Sequence, residues 1–170
     1  FPLHALTQRP MAMYHSWGSQ NAWLRQIHGS NPLFMSRILG EKHGLADGDW
    51  VRLTSHHGAI VVPVQLMEGV NPDTVWTWNA IGKRKGAWNL DEDAPESNKG
   101  FLLNHLISEL LPDKKTSNTD PVTGQAAWYD LRVRMEKVSA EHVEPLHTAL
   151  KPPRSVMEQP KILRYGAKRA

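Results

Sequence analysis

His43-Gly44-Leu45-Ala46-Asp47-Gly48-Asp49-Trp50-Val51-Arg52-Leu53-Thr54, running on through Ser55 to Gly58 and into Ala59-Ile60-Val61-Val62-Pro63-Val64-Gln65-Leu66, decides how this chain folds. Ala46-Asp47-Gly48-Asp49 supplies a turn, and Trp50 to Thr54 alternates apolar with polar residues as a half-buried strand does. His57-Gly58 offers a tight turn into Ala59 to Leu66, a Val/Ile-rich strand, so the two strands form a hairpin. Just upstream, Ser36 can cap a short helix through Arg37-Ile38-Leu39-Gly40-Glu41-Lys42-His43, which Gly44 ends.

Working outward, Pro2 to Thr7 has the short apolar look of a strand. Residues 9–32 hold Gly, Ser, Asn and aromatics with no sustained period, and read as one long loop of the kind that is usually functional. Gly69 to Asp73 is a turn, and Thr74 to Trp78 a further strand. Residues 82–100 are glycine-containing and highly charged, which predicts a surface excursion. Leu103, Leu106, Ile107, Leu110 and Leu111 fall at i, i+3, i+4, i+7 and i+8 and predict a helix that Pro112 stops. Residues 113–127 are again loop. Trp128 to Val138 alternates, with Leu131, Val133 and Met135 on one face and Asp130, Arg132, Arg134 and Glu136 on the other, as a closing strand. From Ser139 onward Pro145, Pro152, Pro153 and Pro160 mark irregular chain. The reading is β-rich α+β: a barrel over residues 1–138 and an extended basic tail over 139–170.

The 170 residues carry 20 Lys+Arg against 17 Asp+Glu, a formal net charge of +3. The charge is unevenly placed. Within residues 151–170, Lys151, Arg154, Lys161, Arg164, Lys168 and Arg169 oppose Glu158 alone, so that stretch stands at +5 and the first 150 residues at −2. The basic balance belongs to the tail and is poor evidence for nucleic-acid binding; it fits a solvated terminus, with docking onto an acidic surface as the alternative. There is no Cys, which excludes disulfides, thiolate metal sites and a thiol nucleophile in this segment. No run of roughly 18 apolar residues exists, so no segment reads as a spanning helix.

The chemistry concentrates in the first loop. Arg9, His15, Ser16, Gly18, Ser19, Gln20 and Asn21 are interleaved with Trp17 and Trp23. Glycine admits backbone N–H groups to phosphate, Arg pairs with it, amides read ring edges and indoles stack on ring faces. That set suits a polar, anionic, heterocyclic ligand; the competing reading is a loop held by its own hydrogen bonds. His56-His57 point to opposite faces of a strand and read as surface residues, not metal ligands. Gly82-Lys83-Arg84-Lys85-Gly86 lacks the phosphate-loop pattern and reads as a solvated turn. Trp50, Trp76, Trp78 and Trp128 sit in predicted strands, where packing is the default. No nucleophile elbow, dinucleotide fingerprint or paired-carboxylate pattern occurs, so no catalytic residue or metal ligand is assigned.

The order of the pieces resembles a known family. Thr7-Gln8-Arg9 closes an opening strand, His15-Ser16 lies in the loop after it, and Asn31-Pro32-Leu33-Phe34-Met35 leads into the short helix. The Gly-x-x-Asp-Gly-Asp-x-Val segment follows, then Asn104-His105-Leu106-Ile107, Asp120-Pro121 and the closing strand. Together they are similar to the C-terminal molybdopterin-dinucleotide-binding domain of the dimethyl-sulfoxide-reductase family of molybdenum and tungsten oxidoreductases. The resemblance implies a double-psi β-barrel flanked by short helices, closing over one side of bis(molybdopterin guanine dinucleotide). It implies contacts from Thr7, Gln8, Arg9, His15, Ser16, Trp17, Gly18, Ser19, Asn104, Gln125, Trp128 and Tyr129. Gln8 stands where a glycine is usual, Ile107 where Thr is common, and Tyr129 where many relatives have Lys.

Thr7 to Trp17, Ser19 to Arg25 and Thr77 to Trp88 are similar to the polysulfide and thiosulfate reductase branch, and within it to the membrane-bound sulfite dehydrogenases. This resemblance implies two-electron chemistry on a small sulfur oxyanion such as sulfite, at a molybdenum or tungsten whose protein ligand lies outside this segment. It further implies two partners, an iron–sulfur electron-transfer subunit with its membrane-anchor subunit, and a place on the cytoplasmic face of the membrane, the periplasmic side being the alternative. On that reading the 170 residues are a piece of a longer subunit, inactive alone. The competing reading is a non-catalytic double-psi barrel that binds a nucleotide or a protein partner.

Overall fold

Alternating burial builds the strands. In β3 (Trp50–Thr54) Val51 and Leu53 are buried and Arg52 exposed; in β4 (Ala59–Met67) Ile60, Val62, Val64 and Leu66 are buried. β1 (Leu3–Gln8) and β6 (Arg132–Val138) repeat the period of two, whereas β5 (Thr74–Trp78) buries Val75, Trp76 and Thr77 in succession, Trp76 against Phe34 on the outer face. The computed structural model describes residues 1–79, 81–82, 100–126 and 130–139. With β2 (Leu33–Ser36), six strands close into a barrel in the order β1-β5-β2-β4-β3-β6. β1 pairs with β5 in parallel, and β2 pairs with β4 in parallel; the other four pairings are antiparallel. This is the double-psi β-barrel. Its interior is filled by Ala5, Leu33, Met35, Val51, Leu53, Val62, Val75 and Val133, all shielded from solvent. Each of the larger ones contributes on the order of 1.5–3 kcal/mol of transfer free energy.

The hairpin forms as expected. Trp50 opposes Pro63 and Thr54 opposes Ala59, and the Ser55 N–H donates to the Gly58 carbonyl at 2.8 Å. The Ser55 hydroxyl accepts from the N–H groups of His57 and Gly58. His56 and His57 are exposed, and no metal-binding group exists among the described residues. Helix α2 (Arg37–Lys42) starts where Ser36 Oγ accepts the Leu39 N–H at 3.1 Å, and Gly44 follows its end in the left-handed region at φ 61°. Lys137 of β6 donates to the Gly44 carbonyl and pairs with Asp49, each at 2.8 Å, tying the 43–49 turn to the barrel. With the Ala46 N–H, that pairing holds the Asp49 carboxyl below the usual carboxylate range.

Three expectations are corrected, and one strand that the reading did not assign is added. The loop of residues 9–32 contains a 3₁₀ turn (His15–Gln20) and helix α1 (Ala22–Ile27), begun by Asn21 Oδ1 accepting the Trp23 N–H. Leu33–Ser36 is a strand, because Leu33 and Met35 point into the barrel and Phe34 out. The leucine stripe does not make a helix. Only a 3₁₀ turn (Leu103–Leu106) forms; Leu103 and Leu106 plug the barrel end, whereas Leu110 and Leu111 are exposed and the chain turns back so that Leu110 bridges Ser117. Asp130 and Leu131, read as part of the closing strand, precede it, and the strand runs from Arg132. Trp128, Tyr129, residues 83–99 and the basic tail beyond Ser139 lie outside the described residues.

Strand directions decide where the loops go. β1, β3 and β5 run one way and β2, β4 and β6 the other. The β1–β2, β3–β4 and β5–β6 connections therefore emerge at one barrel end. The β2–β3 and β4–β5 connections occupy the opposite end.

Candidate functional site

The sequence-predicted contact residues that the structure describes all belong to that first end, since they lie at the end of β1 and in the connections after β1 and β5. Thr7 follows Leu3 and Ala5 onto the inner face and lies in register with buried Thr77. Gln8 faces outward beside Trp78, so the two neighbours do not share a face. Arg9 is exposed at the rim. Its Nη2 donates to His15 Nε2 at 2.9 Å, and its guanidinium lies 5.8 Å from the Tyr14 ring centroid. Arg carries donors only, so Nε2 of His15 is the acceptor in this pair. His15 adopts φ 48°, a left-handed conformation that a non-glycine residue holds at a cost of about 1 kcal/mol or more. Strain of this kind persists where surrounding structure fixes it, as Arg9 and the edge-on Tyr14 ring do here.

Ser16, Trp17, Gly18 and Ser19 lie in the 3₁₀ turn that follows. Trp17 is 73% exposed and Trp23 77%, so these indoles are free to stack on something other than the core. Trp76, by contrast, is buried and stacks on Phe34 at 4.1 Å, with Trp78 edge-on at 4.7 Å. The Leu103–Leu106 turn places Asn104 outward while its flanking leucines anchor it. The turn is held to the hairpin by Ser55 Oγ, which donates to the Leu106 carbonyl at 2.7 Å. Farther along, Asp120 folds its own turn: Oδ1 accepts from the Val122 and Thr123 N–H groups and the Thr123 hydroxyl. These donors hold the Asp120 carboxyl below its usual range. The turn presents Gln125, which is exposed.

Two functional-end residues escape a reading of the sequence. Asn31 is 1% exposed, and its carboxamide joins three segments. Nδ2 lies within hydrogen-bond range of the carbonyls of Trp78, Ile81 and Phe101 at 2.9, 2.9 and 3.1 Å; Oδ1 accepts from the Thr77 hydroxyl at 2.7 Å and the Trp78 N–H at 3.1 Å. The two strands of chain so gathered touch backbone to backbone: a Cβ on Gly82 would sit 2.6 Å from the Phe101 nitrogen, and one on Gly100 would collide with the Ile81 carbonyl. Asn31 thus fixes a narrow neck between Ile81-Gly82 and Gly100-Phe101, from which the Asn104 turn departs. The Asn31-Pro32 pair marks this place in the sequence, but a buried carboxamide shared by distant segments has no periodic signal. Asn79 is the second. Its N–H donates to the Gln8 carbonyl at 2.7 Å, and its Oδ1 is the single shielded side-chain polar atom without a partner among the described residues.

A closed barrel that gathers its long connections, an exposed guanidinium and exposed indoles at one end has the build of a ligand-binding domain. The chain matches the molydopterin dinucleotide binding domain over residues 3–129 and belongs to that family. It is 58% identical over 156 residues to a sulfite dehydrogenase subunit from Allochromatium vinosum, covering 89% of this chain and 16% of that protein. It is 28% identical over 124 residues to a tetrathionate reductase subunit from Salmonella typhimurium, covering 68% of this chain and 12% of the relative. The acetylene hydratase of Pelobacter acetylenicus has the same fold, with a TM-score of 0.60 over 81% of this chain and 18% of its own, at 14% identity. The chain therefore spans a small part of the proteins it matches.

The residues present fit a molybdopterin dinucleotide. Arg9 offers an anchored cation for a diphosphate, Trp17 an exposed ring face, Asn104 and Gln125 exposed carboxamides, and Asn79 an acceptor with no partner.

Proposed function

We propose that this chain is the cofactor-closing domain of a molybdenum-dependent oxidoreductase that acts on a small sulfur oxyanion such as sulfite. The observation that carries the reading is the Arg9–His15 pair at the rim: a guanidinium held at 2.9 Å by a strained histidine is pre-positioned for an anion, at the barrel end where the other candidates also lie. Identity of 58% to a sulfite dehydrogenase subunit supports the substrate class.

In this reading Arg9 and the backbone of the His15–Gln20 turn take the phosphates of bis(molybdopterin guanine dinucleotide). Asn104 and Gln125 read ring edges, and Trp17 covers a ring face. When bound, the cofactor supplies the metal, molybdenum or tungsten, for two-electron exchange, with its protein ligand from elsewhere in the enzyme. This chain's work is to bind, orient and exclude water. The partners are the rest of the catalytic subunit, a membrane anchor and an iron–sulfur electron-transfer subunit, assembled at the cytoplasmic face of the membrane.

The test uses the full-length catalytic protein. Arg9→Ala loses a charge-assisted contact worth about 1.5–3 kcal/mol, so extractable pterin per mole of protein is expected to fall roughly tenfold or more at limiting cofactor. Asn104→Ala loses a neutral contact and less cofactor. Wild-type pterin content in both variants overturns the reading.

A further inference from the structure

We propose that Asn79 is a further cofactor-contacting residue, whose carboxamide oxygen accepts a hydrogen bond from a ring N–H of the bound pterin dinucleotide. The proposal rests on the reading that this barrel end closes over such a cofactor. Asn79 directly follows β5, whose last residue, Trp78, lies in register with Gln8, so it stands at the rim next to the strand end that carries Arg9. Its N–H donates to the Gln8 carbonyl at 2.7 Å. Trp78 before it is clamped by both ends of the Asn31 carboxamide, at 2.9 and 3.1 Å, and Ile81 after it by Nδ2 at 2.9 Å. The Asn79 backbone is thus fixed from both sides, and an unpaired acceptor here is not slack in a loose loop.

Buried polar atoms are nearly always paired, and an orphan in a well-determined place asks for a donor from outside the chain. Asn79 Oδ1 is such an atom among the described residues. The residue as a whole is only half-buried, and the terminal torsion of an asparagine is soft. A neutral acceptor repels phosphate and complements an N–H, so its role differs from that of Arg9: it selects for the ring.

The experiment compares Asn79→Leu, Asn79→Ala and Arg9→Ala in the full-length catalytic protein, made with cofactor and, in a host that cannot make the pterin, without it. Two quantities are read: extracted fluorescent pterin per mole of protein after dilution and gel filtration, and the melting temperature of the cofactor-free protein. Both Asn79 variants are expected to retain about three- to tenfold less cofactor than wild type, as loss of one neutral hydrogen bond dictates. Cofactor-free Asn79→Leu is expected to melt at or above the wild-type temperature, since an apolar side chain removes the orphan. Wild-type retention in both Asn79 variants, with retention lowered in Arg9→Ala, overturns this proposal alone. A lowered melting temperature in both cofactor-free Asn79 variants assigns a structural role and also overturns it. Wild-type retention in all three, Arg9→Ala included, overturns the cofactor-site reading itself.

Discussion

At the scale of single residues, Asn31 carries the most. Its side chain is 1% exposed: Oδ1 accepts two hydrogen bonds, and Nδ2, with two hydrogens, lies within range of the carbonyls of Trp78, Ile81 and Phe101. Removing the carboxamide leaves those carbonyls and the Thr77 hydroxyl without that partner in a place water does not reach. Asn31→Ala is expected to destabilise the domain by about 3 kcal/mol or more, since each buried unsatisfied group costs about 1–3 kcal/mol. Thr77→Val deletes one hydroxyl of the same network and is expected to cost about 1 kcal/mol. Urea unfolding followed by tryptophan fluorescence checks both. The double variant is expected to cost less than the sum, because the two side chains share a bond.

Among the elements, the neck of the β5–β6 connection is tightest. A methyl group on Gly82 would lie 2.6 Å from the Phe101 nitrogen, and backbone atoms cannot step aside as a flexible side chain can. Gly82→Ala is expected to destabilise by about 1–3 kcal/mol and to lower pterin content with it, measured by thermal melt and by extraction from the same preparation. The elements also show what the sequence could and could not tell. The hairpin was legible because Val51, Leu53, Ile60, Val62 and Val64 obey the period of two and Gly58 marks the turn. The capped helix at Ser36 was legible because its cap chemistry is local. Leu103 to Leu111 obeyed the helical period and still failed: Leu103 and Leu106 were claimed by the barrel end, and the chain then turned back at Leu110. Leu33–Ser36 was missed because a four-residue strand is too short to display a period. At the site, Arg9, His15 and Asn104 were reached through composition and resemblance, whereas Asn31 and Asn79 depend on contacts between residues far apart in the chain.

For the whole molecule, charge sets the response to acid. Asp49, Asp113 and Asp120 all have carboxyls held below the usual range, by Lys137, by the Thr116 hydroxyl and by the Thr123 N–H respectively. A carboxyl lowered on folding stabilises the native state at pH above its unfolded value, about 4, and that contribution is lost as pH falls through the lower folded value. Stability is therefore expected to be insensitive to these three groups from pH 8 down to about 5 and to fall below about 4. Asp49→Asn is expected to flatten part of that acid limb, checked by melting temperature against pH.

The barrel's polarity has a practical consequence. The connections at the end opposite the candidate site are the α2-bearing one and the short turn at residues 68–73, where Gly69 faces open space; the start of β1 and the end of β6 lie there too. A reporter peptide spliced in at Gly69 would sit a full strand length from every candidate contact. That position gives a handle for immobilising or labelling the protein while the end that carries the candidate contacts stays free.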